Sequence, residues 1–253
     1  MKDDPDLVRA ADENFIASFR KLAQHVPEGE THEPGSIFSF VTGLPTRLFN
    51  GCVVTQEGPS RHLAAALAWV EVHKVPFRVW VSEKLVADLG DVPTRYGLQR
   101  DVSLYPGMVL HPIPNGPTAA SGVTISEASQ GEFINTLEAG GLLTELAHRL
   151  ISPAFAADPD VRLFIGALDG KPVGTSIAIR SREASGVYNV GTLPSARRRG
   201  VGTALTWAGV EAGRAWGYDT IVLQSSEMAL QMYSDIGFRT VAPYVGFAES
   251  SVG

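Results

Sequence analysis

From residue 7 onward, apolar side chains recur at helical spacing (Leu7, Ala11, Phe15, Phe19, Leu22 and Val26) with charged residues between them. That period predicts an amphipathic helix over residues 6–26, ended by Pro27 and packed on something larger. Two short apolar runs, 37–41 and 52–55, read as strands, and a helix over 61–73, a strand over 78–81 and a second helix near 83–89 follow. Residues 111–122, His-Pro-Ile-Pro-Asn-Gly-Pro-Thr-Ala-Ala-Ser-Gly, are crowded with proline and glycine. Such a stretch supports neither a regular helix nor a central strand, because proline brings no amide donor. A domain boundary is expected there, dividing the chain into residues 1–120 and 121–253.

The second part reads as a strand over 123–126, helices over 130–138 and 142–150, and strands over 161–168 and 173–181. Asp169-Gly170 between the last two is a tight-hairpin signal, so those strands are expected to be antiparallel neighbours. A strand over 187–192 leads to a helix whose apolar stripe is Val201, Ala204, Leu205, Ala208, Ala212 and Ala215, with Gly217 placed for a left-handed cap. Residues 221–223 form a short apolar strand. Ser225 or Ser226 is expected to cap the next helix, which carries Met228, Ala229, Met232, Tyr233 and Ile236 on one face and stops at Gly237. A last strand begins at Phe238.

Composition changes this picture little. The 253 residues are 44% apolar, enough for a real core, and carry a formal net charge of −6. An acidic balance argues against a protein whose main task is to hold a phosphate backbone, so a nucleic-acid partner is not expected. Residues 1–25 lack the apolar stretch of a secretory signal and no window approaches the run of about 20 apolar residues a membrane helix needs, so a cytoplasmic protein with no membrane contact is expected. The single cysteine, Cys52, lies in an apolar run and reads as a small core residue; no Cys/His cluster suggests a metal.

Chemistry concentrates in Thr192-Leu193-Pro194-Ser195-Ala196-Arg197-Arg198-Arg199-Gly200-Val201-Gly202-Thr203-Ala204-Leu205, which joins a strand to a helix. Unpaired N–H groups at the positive end of a helix suit a phosphate or diphosphate, and glycine at 200 and 202 lets the main chain approach it. Three arginines add charge around the rim. A dinucleotide fingerprint needs glycine or alanine where Leu205 stands, and a P-loop needs Gly-Lys-Ser/Thr, so neither applies. A plain surface turn is the remaining alternative for this loop taken alone.

Arg197-x-x-Gly200-x-Gly202, preceded by Thr192-x-Pro194 and followed by Ala229-x-x-x-Tyr233-x-x-x-Gly237-Phe238, resembles the GNAT acetyltransferase superfamily over residues 123–247. The resemblance implies an α/β (α+β) fold with a mixed, mostly antiparallel sheet flanked by helices, and acetyl-coenzyme A as acyl donor with no metal. It implies that N–H groups from Arg198 through Arg199, Gly200, Val201 and Gly202 to Thr203 hold the diphosphate. Main-chain groups of Gly191, Thr192 and Leu193 would pair with the pantetheine amides where the strand ending at Thr192 splays from the strand at 221–223, Gly191 helping it bend. Tyr233 matches the tyrosine that protonates the departing thiolate. Ser226 stands where the family often has an asparagine that contacts the cofactor; capping the helix is its other reading. The family often supplies a base as a glutamate on the strand occupied here by 186–192, which has no carboxylate; Glu183, Glu145, Glu138 and His148 are neighbouring candidates and none is assigned.

Residues 37–110 repeat the strand, helix, strand, helix order and look like a degenerate copy of the same fold, without the glycine loop. They are expected to pack on the catalytic half and help shape the acceptor pocket. The function expected is acetyl transfer to a primary amine of a small molecule, by a monomer or homodimer. Peptide or protein N-acetylation, another acyl donor, and a non-catalytic coenzyme A sensor are the alternatives.

Overall fold

The computed structural model describes residues 4–116 and 122–249, so part of the proline-rich segment, including the proposed boundary at 120/121, lies outside the described residues. The first amphipathic stripe forms α1 (Asp4–Gln24). It is followed by β1 (Glu30–His32), β2 (Ile37–Val41), β3 (Gly51–Val54), a 3-10 turn at Pro59–Arg61, α2 (Leu63–Glu71), β4 (Arg78–Ser82), a 3-10 segment over Glu83–Leu89, α3 (Val92–Arg95) and β5 (Leu98–Leu110). The segment near 83–89 is therefore not the α-helix the sequence suggested: a run this short, stopped by Gly90 at φ 59°, closes with the tighter i to i+3 bonds.

The second half contains β6 (Val123–Glu127), α4 (Gln130–Ala139), α5 (Thr144–Leu150), α6 (Pro153–Ala156), β7 (Val161–Leu168), β8 (Lys171–Arg180) and β9 (Ser185–Thr192). Then come α7 (Val201–Ala215), β10 (Ile221–Gln224), α8 (Leu230–Ile236) and β11 (Arg239–Glu249). Asp169 and Gly170 both have positive φ, 50° and 79°, and join β7 to β8 as the tight hairpin expected of that pair. Gly217, at φ 91°, ends α7 as predicted.

All strands belong to one 11-stranded sheet in the order β1-β2-β3-β4-β11-β5-β10-β9-β8-β7-β6. Its pairing is mostly antiparallel; β3 with β4 and β9 with β10 are the parallel pairs. The order reads as two copies of one arrangement related by a pseudo-two-fold axis through the centre of the sheet, near the facing residues Tyr105 and Tyr244. The copies have exchanged their last strands. β5, from the first half, pairs with β10, and β11, from the second, pairs with β4. The second half thus does not close its own sheet, contrary to the expectation that residues 123–247 supply the whole domain.

Strand alternation sorts the core onto two faces. On one, α2 packs over β2, β3, β4 and β11, and α7 and α8 pack over the strands of the second half. On the other, α1 covers the middle of the sheet through Leu7, Ala11 and Phe15, and α4, α5 and α6 cover β7 and β8. Buried within α1 is a polar residue, Asn14, whose Nδ2 donates to the carbonyls of Ile179 and Ala184 at 3.2 and 3.1 Å and whose Oδ1 accepts from the Tyr188 hydroxyl at 2.6 Å. A side chain at Gly186 would meet Asn14 Oδ1 at 2.0 Å, so glycine is required there for α1 to sit this close to β9.

Candidate active site

The site begins where β9 and β10 part. They pair in parallel only at Ile221↔Ser185 and Val222↔Gly186; beyond that, β9 stays with β8 while β10 stays with β5. A bulge drives the divergence. Between Thr175↔Gly191 and Ile177↔Tyr188 the β9 strand holds one residue more than β8, and Asn189 takes up the strain in the left-handed region at φ 50°. The bend therefore falls at Asn189 rather than at Gly191, because asparagine is among the few residues that visit that conformation readily. On the far side of the gap, Ser225 N–H is held by the Pro106 carbonyl of β5 at 2.8 Å, so the exchanged strand forms the second wall.

From Val187 to Thr192 the edge of β9 that faces away from β8 has no strand partner among the described residues, leaving main-chain donors and acceptors for an extended ligand. Gly191, Thr192 and Leu193 lie at its end, where Leu193 N–H is tied back to the Val173 carbonyl at 2.8 Å. Pro194–Ala196 makes one 3-10 turn and delivers the chain to the arginines. Arg198 and Gly200 are left-handed, φ 61° and 82°, and Gly200 is the N-cap of α7 with no side chain capping it. Among the described residues, no backbone carbonyl outside α7 takes the N–H groups from Arg198 to Thr203. They form an open row of donors at the positive end of a helix. A side chain at Gly202 would meet Met232 Sδ at 3.1 Å, so the first turn of α7 sits directly against α8.

The three arginines are exposed and do different things. Arg197 Nε reaches back to the Thr192 carbonyl at 3.4 Å, Arg199 pairs with Asp169 at 3.4 Å, and no hydrogen bond or ion pair among the described residues engages the Arg198 guanidinium. Tyr233, on α8, is buried among Val187, Leu223 and Phe238, on the α7 and α8 face of the gap. Desolvation pushes its phenol up to about 12, and no hydrogen bond among the described residues holds its hydroxyl. Ser226 does not cap the helix: its side chain makes no cap bond and is exposed, while its carbonyl accepts from Ser225 Oγ at 2.7 Å. The capping role assigned to Ser225 or Ser226 fails because Ser225 turns its hydroxyl to that carbonyl instead.

The neighbouring acids are placed unequally. Glu183 sits in the β8–β9 turn, at the opposite end of β9, in an ion pair with Arg9. Glu145 and His148 are exposed on α5. Glu138 is half-buried near the end of α4, two residues before Gly140, where an added Cβ would lie 3.5 Å from Leu193. No group of His, Cys, Asp and Glu that could hold a metal occurs among the described residues. Cys52 is fully buried with its thiol pushed up to about 12 by desolvation, an inert core position. No described helix is long and apolar enough to cross a membrane.

Residues 132–238 match the family model described as Acetyltransferase (GNAT) family. Among solved structures, the chain is similar to a GCN5-related N-acetyltransferase from Kribbella flavida, at 21% identity and TM-score 0.72 over 97% of this chain and 96% of that one. A GCN5-related N-acetyltransferase from Sphaerobacter thermophilus shares 16% identity, TM-score 0.60, over 84% and 76% of the two chains. A tandem GNAT protein from the clavulanic acid biosynthesis pathway shares 12%, TM-score 0.58, over 83% and 77%. At these identities the likeness is one of fold. No curated protein matches the chain.

Proposed function

We propose, for a chain whose residues 132–238 match the GNAT acetyltransferase family model and whose fold is similar to that of a GCN5-related N-acetyltransferase, that it transfers the acetyl group of acetyl-coenzyme A to the primary amine of a small molecule. One observation carries the reading: the open edge of β9 leads, through one 3-10 turn and the arginine loop, to the uncapped first turn of α7. An anionic head followed by an extended amide-bearing arm needs that combination, and the fit is specific. The N–H groups of Arg198, Arg199, Gly200, Val201, Gly202 and Thr203 would take the diphosphate, and the main chain of Gly191, Thr192 and Leu193 would take the arm. Arg197 and Arg199 are anchored at the rim, Arg198 is available to a phosphate, and the Ser226 hydroxyl faces solvent beside the end of β10.

Bound coenzyme A supplies an activated thioester. What the chain adds is position, exclusion of water and a proton. Val187, Leu223 and Tyr233, on the strands and helix beside the gap, belong to one buried apolar cluster, so a group held against them would be desolvated and electrostatic interactions there would strengthen. A phenol is protonated through the neutral range and burial raises the pKa of Tyr233 further, so it is present as the neutral species that can donate to a leaving thiolate. An oxygen that becomes negative in the gap would be met by main-chain N–H groups on the unpaired edge of β9.

The reading is tested by following thiol release from acetyl-coenzyme A with a panel of primary amines. Tyr233→Phe is expected to lower kcat by about 100-fold, the size typical of losing a general acid, with coenzyme A affinity by calorimetry unchanged. Binding without amine-dependent release, equal in wild type and Tyr233→Phe, would instead identify a non-catalytic coenzyme A sensor.

A further inference from the structure

Gln224 is the last residue of β10 and lies beyond the final parallel pair, in the wall of the gap. Ile221 and Leu223 pack with α7 and α8, while Val222 packs under α1, so strand alternation turns Gln224 to the α1 side. Its partner across β5 is Gly107, which adds no side chain beside it. The Gln224 Nε2 atom is buried, and no acceptor among the described residues takes its hydrogens.

Several polar groups on that face are committed, although Trp80 Nε1 is also buried there without a partner among the described residues. The Tyr188 hydroxyl donates to Asn14 at 2.6 Å, the Tyr244 hydroxyl donates to Asp12 at 2.6 Å, and Asn14 Nδ2 is shared between two carbonyls. Gln224 is left with a donor that has given up water and received nothing, a state native proteins rarely keep without a use for it. The first turn of α7 and Tyr233 lie on the other face, so a thioester arm held there leaves the α1 side for the second substrate.

We propose that Gln224 determines acceptor specificity: its Nε2 donates to an oxygen carried next to the acceptor's amine, whether amide carbonyl, carboxylate or hydroxyl, and so selects such compounds over plain alkylamines. The assignment rests on the acyl-transfer reading above. The polar group would act mainly by exclusion, since an acceptor without the oxygen leaves the buried donor unpaired in the complex.

The test uses a matched pair, phenylalaninamide and phenethylamine, each with acetyl-coenzyme A. Wild type is expected to favour the amide in kcat/KM by about 10- to 100-fold, and Gln224→Leu to bring the two within a few-fold of each other with KM for acetyl-coenzyme A unchanged. Equal use of the pair by wild type, use of neither, or a ratio that survives in the variant overturns the proposal. A ligand-free measurement stands beside it: Gln224→Leu, of similar volume and without the orphan donor, should raise Tm by about 2–6 °C. A fall in Tm would mean that the folded chain itself satisfies the amide, and that also overturns it. Calorimetry with coenzyme A alone separates the two levels: no uptake sinks the acyl-transfer reading, whereas uptake without discrimination between the amines sinks only the role of Gln224.

Discussion

The two halves share one chain order and differ at one place. In the second half β9 and β10 part after two paired positions; in the first, β3 and β4 remain paired along the whole of β3, from Gly51↔Arg78 to Val54↔Val81. The loops that follow differ in the same sense. Gly58 is left-handed like Gly200, φ 74° against 82°, but it opens onto Pro59, which has no N–H, and the 3-10 turn consumes the N–H groups of Arg61 and His62. Glu57 adds a negative charge where the other half has arginines. A glycine-capped strand-to-helix junction therefore does not by itself leave a row of free donors or an open strand edge beside it.

The largest effect is expected from separating the halves. Because β5 and β11 are exchanged, residues 122–253 alone would expose one edge of β10 and leave β11 without either of its neighbours. Exposed apolar edges of that length favour aggregation. The fragment is expected to show no cooperative unfolding and no coenzyme A uptake, and co-expression with residues 1–121 should restore both. A soluble fragment that unfolds cooperatively and binds coenzyme A would show that the exchange is dispensable, and the first half would lose its claim to shape the site.

Next in size are paired substitutions at the two glycine caps. Gly200→Asp or Gly202→Asp puts a carboxylate among the donors and, at 202, also presses on Met232. Coenzyme A affinity should fall on the order of 100-fold by calorimetry. Gly58→Asp in the first half should cost about 1 kcal/mol of stability from left-handed strain and leave affinity unchanged. Equal losses at 58 and 200 would erase the distinction between the halves.

Much of the second half was legible because its signals are local. The Asp169-Gly170 turn, the apolar stripe of α7 and the left-handed stops at Gly217 and Gly237 each specify their element from neighbouring residues. The exchanged strand was not legible. No element was expected over β5, which contains Pro106-Gly107, yet Pro106 faces Pro243 across the sheet and gives its carbonyl to Ser225, a long-range pairing no local period encodes. Asn14 was hidden for a similar reason. An asparagine within an apolar stripe looks like a blemish until Tyr188 and the β8–β9 turn are seen to complete it. At the candidate site, the loop and Tyr233 stand in sequence motifs, whereas the places of Gln224 and of the Asn189 bulge depend on which strands part company, and that is decided by pairing.

The smallest effect concerns a groove beside α1 that residues of both halves line. The groove, of about 840 Å³, is lined by α1 together with Thr55, Gln56 and Lys84 and by Arg182 and Glu183 of the β8–β9 turn. Asp12 borders it, and burial pushes its carboxyl up to about 6, outweighing the opposing effects of the Tyr244 hydroxyl and the Lys84 charge. A raised carboxyl pKa means that the folded chain holds this proton more tightly than the unfolded one. Its contribution therefore favours folding at low pH and is lost as pH rises from about 4 through about 6. Asp12→Asn keeps an acceptor for Tyr244 and removes the charge. It should stabilise the protein by about 2 kcal/mol at pH 8, read as a Tm gain of about 4–8 °C, and by close to nothing at pH 4. Acetyl-transfer rates should not change if the first half only supports the second. A fall in kcat with the stability gain intact would mean that this carboxylate communicates with the cleft across the paired tyrosines Tyr244 and Tyr105, and that the first half takes part in the reaction.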